Sequence, residues 1–122
     1  MLDKNLLLRD GTAALSASEP TPPAKDFGGQ DLVPLVYQVD VPIAPTGTTP
    51  TLDCVLQGSN TSDVAGFVDI APIPQINAKG QFRKEIITPY RWRRMKTTLG
   101  GTTPNFGNVT ISVHPAGLYD EK

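Results

Sequence analysis

The sequence predicts an all-β domain, and three observations lead to that expectation. Short runs alternate apolar and polar residues, turn residues separate the runs, and no stretch keeps a helical period long enough for a packed helix. Leu35, Tyr37, Val39 and Val41 alternate with Val36, Gln38, Asp40 and Pro42. Leu52, Cys54 and Leu56 alternate with Asp53, Val55 and Gln57, and Val109, Ile111 and Val113 alternate with Thr110, Ser112 and His114. Successive side chains of a strand point to opposite faces, so this pattern fits sheets with one buried and one wet face.

Taken in order, the chain opens on an apolar arm carrying Leu2, Leu6, Leu7 and Leu8, closed by Asp10-Gly11. Leu2 with Leu6, and Leu8 with Leu15, suit a short helical turn; the small-residue run that follows equally suits a strand over 12–17. Residues 18–29 read as an extended linker, because Pro fixes φ and cannot donate to a ladder; at best this segment lies along an edge. Further strands are expected near 32–41, 51–58, 64–70, 82–87, 91–99 and 108–114. Segments 42–50 and 100–107, rich in Thr, Gly and Pro, are expected as surface hairpin ends, with shorter connections at 59–63, 72–80 and 88–89. Such spacing suits a sandwich or barrel. The expected organisation is an arm and linker over 1–31 and a β-sandwich domain over 32–122. Expected core positions are Tyr37, Val39, Leu52, Cys54, Leu56, Val68, Phe82, Ile86, Val109, Ile111 and Val113.

At 122 residues the chain fits one domain, large enough to fold without disulfide or metal. Its single cysteine, Cys54, falls on an apolar strand face and reads as a small buried hydrophobe. Leu6–Leu8 is far too short for a signal core or a membrane span, so a protein made in a reducing cytoplasm is expected. The net charge of -1 hides an asymmetry: nine acidic against three basic residues up to position 78, then seven basic against Glu85 alone from Lys79 to Lys96. That basic run is either a patch for an acidic partner or nucleic acid, or the solvent faces of two neighbouring strands, 82–87 and 91–99, set against acidic strands opposite.

Catalytic and metal-binding constellations are not expected. His114, the only histidine, reads as a solvated strand-end residue, and one Cys with one His makes no zinc set. Gly28-Gly29 opens no helix and so fails as a phosphate loop. The densest functional segment is Pro89-Tyr-Arg-Trp-Arg-Arg-Met-Lys96. Alternation puts Tyr90, Trp92, Arg94 and Lys96 on one face and Arg91, Arg93, Met95, Thr97 and Leu99 on the other. If Met95 points inward, Trp92 stands outside beside Arg94, a composition typical of protein–protein hot spots. The opposite parity buries Trp92 and exposes Arg91 and Arg93.

The order of motifs is specific. Leu2-Asp-Lys-Asn-Leu-Leu-Leu-Arg-Asp10 leads into Thr12-Ala-Ala-Leu-Ser-Ala-Ser18, then Asp26-Phe-Gly-Gly29 and Leu35-Val-Tyr-Gln-Val39. Leu52-Asp-Cys-Val-Leu-Gln-Gly-Ser59, Phe67-Val-Asp-Ile70, Trp92-Arg-Arg-Met-Lys-Thr-Thr-Leu-Gly-Gly101 and Gly107-Asn-Val-Thr-Ile-Ser-Val113 complete it. In this order the chain resembles the jelly-roll capsid cement (decoration) proteins of tailed bacteriophages, over nearly its whole length. It departs from them in its heavier Pro20–Pro23 stretch and in the Arg91, Arg93, Arg94 cluster. The resemblance implies a jelly-roll-like sandwich with an extended N-terminal arm and no enzymatic activity or cofactor. It further implies a place on the capsid exterior, where the protein bridges major capsid subunits and strengthens the shell.

Partner contacts are expected from two regions: Leu2, Leu6, Leu7 and Leu8 of the arm, and the strand bearing Arg91, Trp92, Arg93 and Arg94. Self-association is expected too, as a dimer across a local two-fold or a trimer at a three-fold. Neither a membrane nor direct nucleic acid is expected as a partner. The alternative reading is a receptor- or glycan-binding jelly roll of a virion, because that fold hosts many binding functions.

Overall fold

A computed structural model describes residues 7–20, 22–26, 35–62 and 65–115. The described residues form eight strands: β1 (Leu7–Asp10), β2 (Lys25–Asp26), β3 (Leu35–Val41), β4 (Thr46–Ser59), β5 (Val68–Pro72), β6 (Gly80–Ile86), β7 (Trp92–Asn105) and β8 (Thr110–Pro115). No helix occurs among the described residues. The strands form two four-stranded antiparallel sheets, in the orders β1-β8-β3-β6 and β2-β7-β4-β5.

That order has a simple origin. β4 pairs with β5, β3 with β6, β2 with β7 and β1 with β8, as in one long hairpin folded back at its middle. Rolling this hairpin brings β8 also against β3 and β7 also against β4, which closes the two sheets face to face. The result is the connectivity of a jelly-roll sandwich.

The period-two pattern is realised as expected in the long strands. Tyr37, Val39, Leu52, Cys54, Leu56, Val109, Ile111, Val113 and Ile86 are buried in one core, and Phe82 packs against it half-buried. Val68 departs from expectation: it is 47% exposed, because β5 is an edge strand and Ile70 makes the contact with the core instead. Leu8, Leu15, Ile73, Ile76, Met95 and Phe106 complete the core.

Three segments differ from their sequence reading. The strand expected over 12–17 is irregular: the chain turns at Gly11 (φ 74°), and the Asp10 carboxylate accepts from the Thr12 amide. Leu15 nevertheless plugs the core, its N–H donating to the Gly107 carbonyl at 2.7 Å and its carbonyl accepting from Phe106 at 2.9 Å. With β1 on one sheet edge and β2 on the other, the described part of 7–26 packs into the sandwich. The proline-rich stretch lies along an edge, as its chemistry requires: Glu19 bridges Thr97, and β2 pairs with Arg93 and Trp92.

Segments 42–50 and 100–107 are not simply loops, because Thr46–Pro50 and Gly100–Asn105 extend β4 and β7 as a paired ribbon. Here Gly47-Thr48-Thr49-Pro50 runs antiparallel to a second copy of the same four residues, Gly101-Thr102-Thr103-Pro104. Thr48 faces Thr102, and the flanking pairs Thr46–Asn105 and Thr51–Gly100 are equivalent about a local pseudo-two-fold. The backbone repeats as well: Gly47 and Gly101 have φ of 108° and 95°, Thr49 and Thr103 of 45° and 46°. A Cβ on Gly47 would stand 2.6 Å from the Thr103 carbonyl oxygen, and one on Gly101 2.5 Å from that of Thr49, so only glycine allows this approach.

Candidate functional site

β7 settles its own parity through the core. Arg93, Met95 and Thr97 point inward and are buried, while Trp92, Arg94 and Lys96 face outward and are partly exposed. Arg93 is therefore corrected from a surface contact to an internal brace, at 3% exposure. Its Nη1 donates to the Tyr37 hydroxyl of the facing sheet at 2.9 Å. Nη2 donates to the Thr88 carbonyl at 3.0 Å and Nε to the Tyr90 carbonyl at 2.8 Å. Gly58, opposite Arg93 in the ladder, leaves room for Tyr90 to cross the mouth of the sandwich. Burial raises the Tyr37 phenol above its ordinary pKa, and the Arg93 charge partly opposes that rise.

On the outer face the remaining cations sit in different environments. Arg91 is exposed and bonds Asp26 of β2 through Nε at 2.9 Å and Nη2 at 2.8 Å, and this pairing raises its pKa. Its guanidinium lies 5.2 Å from the Trp92 ring centroid, and its backbone N–H donates to Asn60 Oδ1. Arg94 lies across two strands. Its Nε donates to Gln57 Oε1 on β4 at 2.8 Å, and the guanidinium stacks 4.0 Å from the Phe67 ring centroid. Gln57 in turn donates to Asp69 Oδ1 on β5 at 2.8 Å. Partial burial lowers the Arg94 pKa while leaving it charged at neutral pH.

The basic run does not gather into one patch. β6 and β7 belong to opposite sheets and are not neighbours, because the chain crosses between sheets over residues 87–91. Arg83 of β6 bonds Gln38 and Gln81 on the outer face of the other sheet, and Lys84 reaches the Pro72 carbonyl.

Of the arm leucines, Leu2 and Leu6 lie outside the described residues. Leu8 is a core residue at 6% exposure, which corrects its expected role as an exposed contact. Leu7 is half-buried and lines a groove of about 550 Å³ between β1 and the 22–25 segment. The Arg9–Glu19 ion pair (3.1 Å) crosses that groove, with Arg9 also donating to the Ala13 and Val109 carbonyls.

The alternation puts Ser112 and His114 on one face of β8, and the structure joins them. Ser112 Oγ and His114 Nε2 are hydrogen-bonded at 3.0 Å. Ser112 has no solvent exposure, and Asp40 is engaged by the Gln38 amide, so the group is a packed polar network on the sheet. Burial lowers His114 below its ordinary 6.5, and nearby Asp40 opposes the shift. A histidine depressed in the folded state binds more protons when unfolded, so its contribution is complete above the unfolded pKa and is lost as pH falls through 6.5 toward the folded value. Thermal scans between pH 7.5 and 5.5 should show a falling midpoint that His114→Gln flattens.

Cys54 is buried on the inner face of β4, and burial pushes its thiol up to about 12. It should resist a disulfide reagent in the folded protein and react stoichiometrically once urea unfolds the chain, since the thiolate is the reactive species. Among the described residues no three His, Cys, Asp or Glu side chains are placed to hold a metal ion, and no helix is long and apolar enough to cross a membrane. No protein-family model and no curated protein matches this sequence.

Proposed function

We propose that this protein is a non-enzymatic structural protein that binds the outer surface of a tailed-phage capsid, bridges neighbouring major capsid subunits and stabilises the head. The main support is the outer face of β7, where Trp92 and Arg94 stand side by side on a sheet rather than on a loop. A rigid aromatic and a held guanidinium bury contact area at low entropic cost, which suits adhesion to a large, static partner. Jelly rolls recur in viral shells, and the motif order resembles the decoration proteins of phage heads. Self-association accompanies binding, as a dimer or a trimer at a local symmetry axis.

The glycan-binding alternative draws less support. Tyr90 packs against Gly58 at the mouth of the sandwich while Trp92 faces outward, so these two aromatics do not share a sugar-binding groove. The test is co-sedimentation of the purified protein with empty, expanded capsids. Saturable binding that rises with capsid and not with free capsid monomer is the expected result; no association at any ratio would remove the reading.

A further inference from the structure

Of the three arginines on β7 and its entry, Arg94 alone has an unfilled fork. Arg91 has both oxygens of Asp26, and Arg93 is enclosed by the Tyr37, Thr88 and Tyr90 oxygens. Arg94 uses only Nε, toward Gln57, and among the described residues neither Nη nitrogen has a hydrogen-bond partner. Its orientation is nonetheless fixed. Phe67 supports one face of the guanidinium, and Gln57, itself 8% exposed and tied to Asp69, holds the Nε edge. What remains is the planar Nη pair of a partly exposed guanidinium, a group that can receive a carboxylate with two parallel hydrogen bonds.

Two further outward side chains continue the row. Lys96 follows on the same face and takes part in no ion pair with any described residue, and Trp92 precedes it. Alternate residues of a strand are about 7 Å apart, so the row offers an aromatic surface, a carboxylate fork and a point cation in equal steps. An extended chain laid along β7 repeats at the same step.

We propose that the Trp92–Arg94–Lys96 row recognises an extended acidic segment of a partner protein, with one apolar residue followed by carboxylates at the next two alternate positions. This deepens the shell-binding reading and rests on it for the partner's identity. Charge favours a peptide over nucleic acid. Asp69 stands on the β5 side of the row and Asp26 on the β2 side is already paired with Arg91, so a continuous phosphate backbone gains two open cations and meets the Asp69 carboxylate beyond them.

Trp92 is the only tryptophan, so its fluorescence reads the site directly. The probe is the peptide acetyl-Leu-Ser-Glu-Ser-Glu-Ser-amide, with its Gln-for-Glu counterpart and oligothymidylate as comparisons. The Glu peptide should give a saturable change, and the Gln peptide should bind at least about tenfold more weakly, since charge-assisted bidentate bonds are lost. Arg94→Lys should weaken Glu-peptide binding about fivefold or more although it keeps the charge, because an ammonium has no planar fork. Arg83→Gln, on the other sheet, should bind like the parent.

Equal binding of the two peptides, no saturable binding of either, or full binding by Arg94→Lys would overturn the proposal. So would tighter binding of oligothymidylate than of the Glu peptide. The capsid co-sedimentation separates the two readings. Peptide recognition by a protein that does not decorate capsids supports the carboxylate site and removes the shell. Decoration that Arg94→Lys leaves at full strength removes the row from the contact.

Discussion

Arg93→Ala should be among the most damaging single changes in the protein, lowering stability by on the order of 3–5 kcal/mol, the cost of breaking a buried charged network. The guanidinium joins Tyr37 of one sheet to the Thr88–Tyr90 crossover and β7 of the other. Removing it strands a phenol and two carbonyl oxygens in an enclosed site, and each unmet buried polar group costs about 1–3 kcal/mol. Arg93→Lys should recover only part of the loss, because one ammonium cannot reach three acceptors that a planar fork satisfies. Urea denaturation followed by circular dichroism measures this directly. Arg94→Ala is the matched control: it also removes an arginine from β7, but from the opposite, outward face, and should cost about 1 kcal/mol or less because the side chain is partly exposed. Equal losses for the two variants would refute the internal-brace assignment.

The contrast between those neighbouring arginines explains what could be read from the sequence and what could not. Period-two alternation is local, so Tyr37, Val39, Leu52, Cys54, Leu56, Ile111 and Val113 were all legible as core. The parity of β7 was within reach, because Met95 and Thr97 lie on the same side as Arg93. A charged residue reads as surface by default, however, and its acceptors come from Tyr37 and a crossover loop that no local pattern brings near. Phe67, Gln57 and Asp69 meet Arg94 only through the pairing of β4 with β5 and β7. The ribbon tip differs from its expected loops for another reason. Gly, Thr and Pro signal turns singly, whereas the duplicated Gly-Thr-Thr-Pro is a signal for mutual pairing only when the two copies are compared. Leu15 and Ile76 sit in irregular backbone with no period, so only the closed sandwich shows that they are buried.

Phe106→Ala should be comparably destabilising, about 3–5 kcal/mol, the range for removing a buried phenyl ring. Phe106 has no solvent exposure and lies just beyond the ribbon end of β7, where the chain turns toward β8. The turn itself is tightly held: the Gly107 amide donates to Asn105 Oδ1 at 2.8 Å, and Gly107 takes a φ of 76° with Ile43 against it. A frame this constrained cannot close over the space left by the ring, so the cavity term should be near its full value. Leu15 shares that frame through its two backbone hydrogen bonds to Phe106 and Gly107. Leu15→Ala should therefore cost about 2–5 kcal/mol, although it lies in a segment without strand structure. The double variant should lose less than the sum, since groups sharing one cavity and one backbone frame do not add. Val68→Ala, on an exposed edge position, should stay within about 0.5 kcal/mol of the parent. If Leu15→Ala were as mild as Val68→Ala in urea, the N-terminal segment would be an appendage of the sandwich and not part of its core.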